Sequence, residues 1–289
     1  SMSPEAVRAA LSDPDFEVRI AAARVAGMNR DRAAVPRLLD MAKEDALPVR
    51  RQAATALGQI GDRSVVPQLA AAAAGVEDRF VEHAIIYSLI QLEDAAATSS
   101  ALRSPDPKTR KAALIALDQM NRSPLRAADV LPALGAPQPD LRRAALWVAS
   151  RHPDWSPSLA AFLRTEQSEA VRDTLVAFLN DPAIQSLVAD QLTNQPARRM
   201  FLLDALDQSG LRQFPAAWLD PLGRVLEDGD PAVRLRGIHL VRSRAIAGLD
   251  DRLARIQTPD EHRLAALAAL VQRRPQLPAE AFDFLLRFL

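Results

Sequence analysis

The chain has no cysteine among its 289 residues, which excludes disulfides, thiolate metal sites, a cysteine nucleophile and covalent c-type haem. Lysine is scarce: Lys43, Lys108 and Lys111 stand against 33 arginines. The 36 basic and 36 acidic residues cancel, so no net field draws the chain toward nucleic acid or an anionic lipid surface. Aromatic side chains are few, with one tyrosine and three tryptophans. The longest uncharged run, Ser64 to Val76, has 13 residues, short of the roughly 20 that a membrane helix needs, so no membrane insertion is expected.

Reaction motifs are missing as well. There is no glycine-rich phosphate loop, no G-x-S-x-G and no H-E-x-x-H. The four histidines, His83, His152, His239 and His262, lie in different parts of the chain without metal-ligand spacing. No catalytic residue, cofactor or metal is expected, and on this basis the chain is expected not to be an enzyme.

What the chain does have is a repeat. "FEVRIAAARVAG" at 16 aligns with "LPVRRQAATALGQIGD" at 47, "PKTRKAALIALDQM" at 107 and "PDLRRAALWVAS" at 139. "EAVRDTLVAFLN", "QPARRMFLLDAL", "PAVRLRGIHLVR" and "DEHRLAALAALV" continue it. One arginine recurs in each unit, as Arg19, Arg50, Arg110, Arg142, Arg172, Arg198, Arg234 and Arg263. The remaining unit, "EDRFVEHAIIYSLIQLEDA", carries Glu82 at that position, making nine units.

Each unit reads as two helices. The first often holds Pro in its opening turn, where the missing N–H costs nothing. A turn rich in Asp, Pro or Gly follows, and the second helix begins near the arginine. Counting from that arginine, positions −1, +3, +4 and +7 are almost all apolar, as in Val49, Ala53, Ala54 and Leu57. Such a pair buries its stripe only by stacking on the next pair. The expected fold is all-α, a right-handed α-solenoid of about nine two-helix repeats.

The pattern resembles HEAT repeats of the short class seen in phycobilisome-lyase-type proteins, in which a turn Asp six residues before the arginine (Asp13 and Arg19) builds an Asp–Arg ladder. The repeated arginines are expected to be structural, linking adjacent repeats and satisfying turn carbonyls.

Positions +1 and +5 lie opposite the buried stripe. They place Arg51, His83, Lys111 and Arg143 in one row and Tyr87, Ile115 and Trp147 in the next, with Phe80 and Glu82 alongside. On the concave face this would be a basic and aromatic strip suited to a protein partner. The competing reading is that Tyr87 and Trp147 lean on neighbouring helices and fill gaps.

Three blocks, "EDRFVEHAIIYSLIQLED", "ALIALDQM" and "WVASRHPDW", also resemble the HEAT region of planctomycete-type multidomain proteins similar to membrane-bound dehydrogenases. In those, a β-propeller precedes the HEAT segment and a cytochrome c domain follows it. The resemblance implies a non-catalytic interdomain scaffold outside the cytoplasm, with flanking domains or another protein as partner and no nucleic acid. The alternatives are an enzyme-like HEAT protein, of bilin lyase or DNA glycosylase type, and a stand-alone regulatory adaptor.

Residues 1–2 read as a tag scar and 3–289 as a single repeat domain excised from a longer protein. The apolar last helix, with Phe282, Phe284, Leu285, Phe288 and Leu289, would be uncovered and could support a weak dimer.

Overall fold

The computed structural model describes residues 3–122, 124–166, 168–274, 276 and 278–288. The scar assigned to residues 1–2 and the apolar Leu289 lie outside them. The described residues are all-α, built from the two-helix plan, and form two compact units, 1–155 and 156–289.

The first unit holds five helix pairs: α1 (Pro4–Ala10) with α2 (Phe16–Met28), α3 (Val35–Glu44) with α4 (Leu47–Ile60), α5 (Val66–Ala71) with α6 (Arg79–Leu92), α7 (Ala95–Ala101) with α8 (Pro107–Gln119), and α9 (Ala127–Leu134) with α10 (Pro139–Ser150). The turn aspartates start the second helices. Asp15 accepts from the Glu17 N–H at 2.9 Å, Asp106 from Thr109 at 2.8 Å, and Asp78 from both Phe80 and Val81 at 2.9 Å. Each cap satisfies helix-start donors that would otherwise have no partner.

The second helices pack in sequence order, α2 on α4, α4 on α6, α6 on α8 and α8 on α10. Val49, Ala53, Ala54 and Leu57 of α4 are fully buried, as are Val81, Ile85 and Leu89 of α6. Alanine and glycine set how closely these helices approach. A Cβ on Gly27 would stand 2.9 Å from the Ala56 Cα, and one on Gly58 would meet Ser88 Oγ and Gln91 Oε1 at 2.7 Å. Ser88 itself is buried and donates to the Ala54 carbonyl at 2.9 Å, tying α6 to α4.

The second unit repeats the plan with α11 (Ser156–Thr165), α12 (Arg172–Ala177), α13 (Pro182–Asn194), α14 (Arg199–Asp207), α15 (Leu219–Val225), α16 (Pro231–Ser243), α17 (Asp250–Ala254), α18 (Asp260–Val271) and α19 (Ala279–Leu285). Its largest buried side chain, Trp218, is closed off completely and donates its indole N–H to the Gln185 carbonyl at 2.9 Å. In α19, Phe284 is buried against Leu267 and Ala281, whereas Phe282 and Phe288 remain more than half exposed.

Candidate functional site

The ladder arginines fall at the junctions between repeats. Arg19 grips the Asp45 carboxylate of the next repeat with Nε at 2.9 Å and Nη2 at 2.6 Å, and donates to the Asp13 and Pro14 carbonyls. Its carboxylate partner is therefore Asp45. Asp13 offers Arg19 its carbonyl and uses its side chain to accept from the Asp15 N–H at 2.9 Å. Arg50 donates to the carbonyls of Ala42 and Ala72, and Arg142 to those of Ala136 and Pro137. Arg172 pairs with Glu169. Arg198 is buried and donates to the Leu163 and Glu166 carbonyls, and burial pushes its guanidinium pKa down. Arg263 lies 4.2 Å over the Phe284 ring. Arg110 and Arg234 each keep a buried Nε without a hydrogen-bond partner.

The strip along α4, α6, α8 and α10 is in part a set of local pairs. Phe80, Tyr87 and Trp147 are 52%, 50% and 43% exposed. Phe80 and Arg51 border a shallow depression with Leu47 and Pro48. The His83 and Tyr87 rings are nearly parallel, with centroids 6.4 Å apart. Lys111 is held by Glu82 at 2.8 Å and Arg143 by Asp140, so two of the row's cations are already compensated. Ile115 is half-buried. The row thus presents aromatic surface with less free positive charge than its residue types suggest.

A further cluster joins α8 to α10 at their C-terminal ends. The Asp118 carboxylate, only 1% exposed, accepts from His152 Nε2 at 2.8 Å and forms an ion pair with Arg151, whose Nε stands 2.9 Å away. His152 stacks on Trp155 at 3.9 Å, and the Arg151 guanidinium sits 5.1 Å over Trp147. Asp118 orients the imidazole, and the two tryptophans clasp the basic pair.

A concavity also lies along the C-terminal ends of α2, α4 and α6. It is an open groove of about 710 Å³, within the size range of small-molecule sites. Gly27 and Gly58 form its floor, Met28 and Ile60 give apolar wall, and Arg30, Arg32, Gln59 and Gln91 supply polar groups. Numbering from the ladder position, Gly27, Gly58 and Asp118 stand at +8, while Gln59, Gln91 and Arg151 stand at +9. Attention to +1 and +5 alone misses this row. Its trace in the sequence is slight: Gly58-Gln59 and Asp118-Gln119 share these positions, with Gln91 at the same place after Ile90. His152 follows α10, two helix spacings or about 16–20 Å from α6, the nearest wall of the groove. Among the described residues no three His, Asp or Glu side chains form a metal-holding group, and no helix is long and apolar enough to cross a membrane.

The described residues form an all-α helix-pair repeat protein, and residues 4–90 match the family described as HEAT repeats. The chain is similar to proteins of the phycobilisome-lyase group. It is 34% identical over 126 residues to the bilin biosynthesis protein PecE of Mastigocladus laminosus, a match that takes in 40% of this chain and 47% of that one. The chain thus spans about half the length of the curated relative it matches. Among the solved structures that match, two do so across 99% of the chain. One is the complex of CpcE and CpcF of phycocyanin lyase from Nostoc sp. PCC7120 (21% identity, 93% of that chain, TM-score 0.36). The other is an engineered protein (17% identity, 82% of that chain, TM-score 0.34).

The similarity to a biosynthetic protein corrects the expectation that this chain is not an enzyme. That expectation rested on the lack of local reaction motifs. In a repeat protein, groups from successive helices converge without any contiguous signature, so the lack of a motif carries little weight.

Proposed function

We propose that this chain handles a linear tetrapyrrole, as part of a bilin-attaching activity exerted on a partner protein. The observation that carries the reading is the 34% identity to a bilin biosynthesis protein. It favours the bilin alternative over an interdomain spacer. The groove on α2, α4 and α6 suits such a ligand chemically. A linear tetrapyrrole offers two propionate carboxylates, two terminal lactams and a long apolar edge. Arg30 and Arg32 suit the carboxylates, the Gln59 and Gln91 amides suit the lactams, and Met28 and Ile60 suit the edge.

Joining a bilin to a protein forms a bond between a cysteine sulfur and a pigment side-chain carbon, and the thiol proton ends on the pigment. With no cysteine in this chain, the sulfur belongs to the partner. Phe80, Tyr87 and Trp147 form the surface assigned to that partner, since exposed aromatic anchors dominate protein interfaces.

The test is co-expression of the chain with a bilin supply and a cysteine-bearing phycobiliprotein subunit, followed by denaturing electrophoresis and zinc-enhanced fluorescence. Covalent colour on the acceptor that depends on this chain, and falls in the Arg30→Gln/Arg32→Gln variant, supports the reading. Equal colour with and without the chain refutes it.

A further inference from the structure

The second unit contains a second concavity, of about 260 Å³, where α16 packs on α18 beside the C-terminal end of α17. It has three arginines on its wall, Arg234, Arg252 and Arg255, against one acidic residue, Glu227. Arg252 is already committed, to Asp220 at 2.8 Å and Glu227 at 3.5 Å. The guanidinium groups of Arg234 and Arg255 make no hydrogen bond or close ion pair with a described residue; the Asp228 carboxylate acts on Arg234 from a longer distance, so Arg255 keeps its charge uncompensated and Arg234 keeps part of its own.

An unpartnered Nε alone would mean little, because Arg110, Arg172 and Arg198 share that feature at the same repeat position. The distinguishing residue is His262. It lines the same concavity, is only 2% exposed, and its buried Nδ1 has no hydrogen-bond partner. A buried polar nitrogen left unpaired in the folded protein is costly, and a bound group that pairs with it removes the cost. Leu226, Ile238 and Ile256 add apolar wall, and Gln257 and Thr258 add neutral polar groups.

We propose that this concavity binds a carboxylate carried on a short apolar stem. The carboxylate lies between Arg234 and Arg255 within reach of the His262 ring, and the stem covers Leu226 and Ile238. The shared chemistry has two sources, a free small acid or a propionate arm of a larger pigment. The site belongs to the second unit and does not depend on the groove of the first.

The experiment is a titration of the full chain followed through its imidazole resonances, of which there are four to resolve. Sodium propionate is expected to shift the His262 signals saturably, with a dissociation constant on the order of 1 mM. Formate, two carbons shorter, is expected to bind about tenfold more weakly. Arg234→Gln and Arg255→Gln should each weaken propionate by about tenfold or more. Arg255 is exposed, so its variant tests the idea without risk to folding.

A linear tetrapyrrole and its dimethyl ester identify the source. A His262 shift with the diacid and none with the ester assigns the pigment, and a shift with propionate alone assigns a free acid. The proposal is overturned if propionate leaves His262 unmoved, if 1-propanol shifts it equally, or if inorganic phosphate binds as tightly as propionate. None of these outcomes touches covalent colour on the acceptor, so failure here is distinct from failure of the bilin reading.

Discussion

Lys111 Nζ of α8 stands 2.8 Å from the Glu82 carboxylate of α6, and the two side chains are only 18% and 16% exposed. Glu82 occupies the position that carries arginine in every other repeat. The exchange makes sense beside a lysine: an anion at the ladder position of α6 meets a cation on the next second helix. The pair stitches two repeats and takes Lys111 out of the surface charge.

Replacing one partner should therefore hurt more than replacing both. Glu82→Gln leaves the half-buried Lys111 ammonium without its counter-charge and is expected to cost about 1–3 kcal/mol. Glu82→Gln/Lys111→Met should regain most of that loss. Urea unfolding of both variants checks it, and a double variant less stable than the single one would contradict the account.

Close helix approach at α2 and α4 gives a second expectation. In Gly27→Ala the new methyl meets backbone, the Ala56 Cα at 2.9 Å, which cannot swing aside. A loss of about 1–3 kcal/mol is expected in chemical denaturation. In Gly58→Ala the Gln91 amide can swing aside but the Ser88 Cβ, at 2.8 Å, is fixed by its backbone, so a loss of similar size is expected.

Stability should fall on acidification. Burial would raise the Asp45 carboxyl, but the Arg19 fork and the Ala46 N–H outweigh it and hold its pKa below the ordinary value. Asp228 behaves likewise, with burial outweighed by the Asp230 N–H and Arg199, and the Lys108 hydrogen bond lowers Asp140. Each carboxyl titrates below its unfolded value near pH 4, so its contribution is complete above that value and is lost as pH falls through the folded one. The urea midpoint should drop between about pH 5 and 3, and Asp45→Asn should flatten that drop. Identical acid limbs for the parent and the variant would contradict the assignment.

Tyr87 and Trp147 should matter for binding more than for folding. Both are about half exposed, so Tyr87→Ala/Trp147→Ala is expected to cost no more than about 1 kcal/mol of stability. Loss of acceptor binding in a pull-down, with unfolding nearly unchanged, is the expected outcome. Lost stability with unchanged binding would make them packing residues.

The repeat was legible because burial imposes a period. Val49, Ala53, Ala54 and Leu57 mark a stripe that only a stacked helix pair can bury, and Asp15, Asp78, Asp106 and Asp230 mark where four of the second helices begin. What the sequence conceals is pairing across repeats. Lys111 reads as a surface cation until α6 is placed beside α8, and Asp13 reads as the partner of Arg19 until Asp45 comes within 2.6 Å. The Asp118–His152 contact spans 34 residues of chain, and neither residue carries a local sign of it. The groove is hidden for a related reason. Its floor is two glycines and its rim residues come one or two to a helix, so no segment of sequence contains it.

The most direct test of the bilin account is a visible-absorbance titration of the purified chain with a linear tetrapyrrole, run beside the Arg30→Gln/Arg32→Gln variant. The account predicts a saturable change in the pigment's long-wavelength band with the parent chain, and affinity weakened by about tenfold or more in the variant. No spectral change with the parent, or the same curve for both proteins, would contradict it.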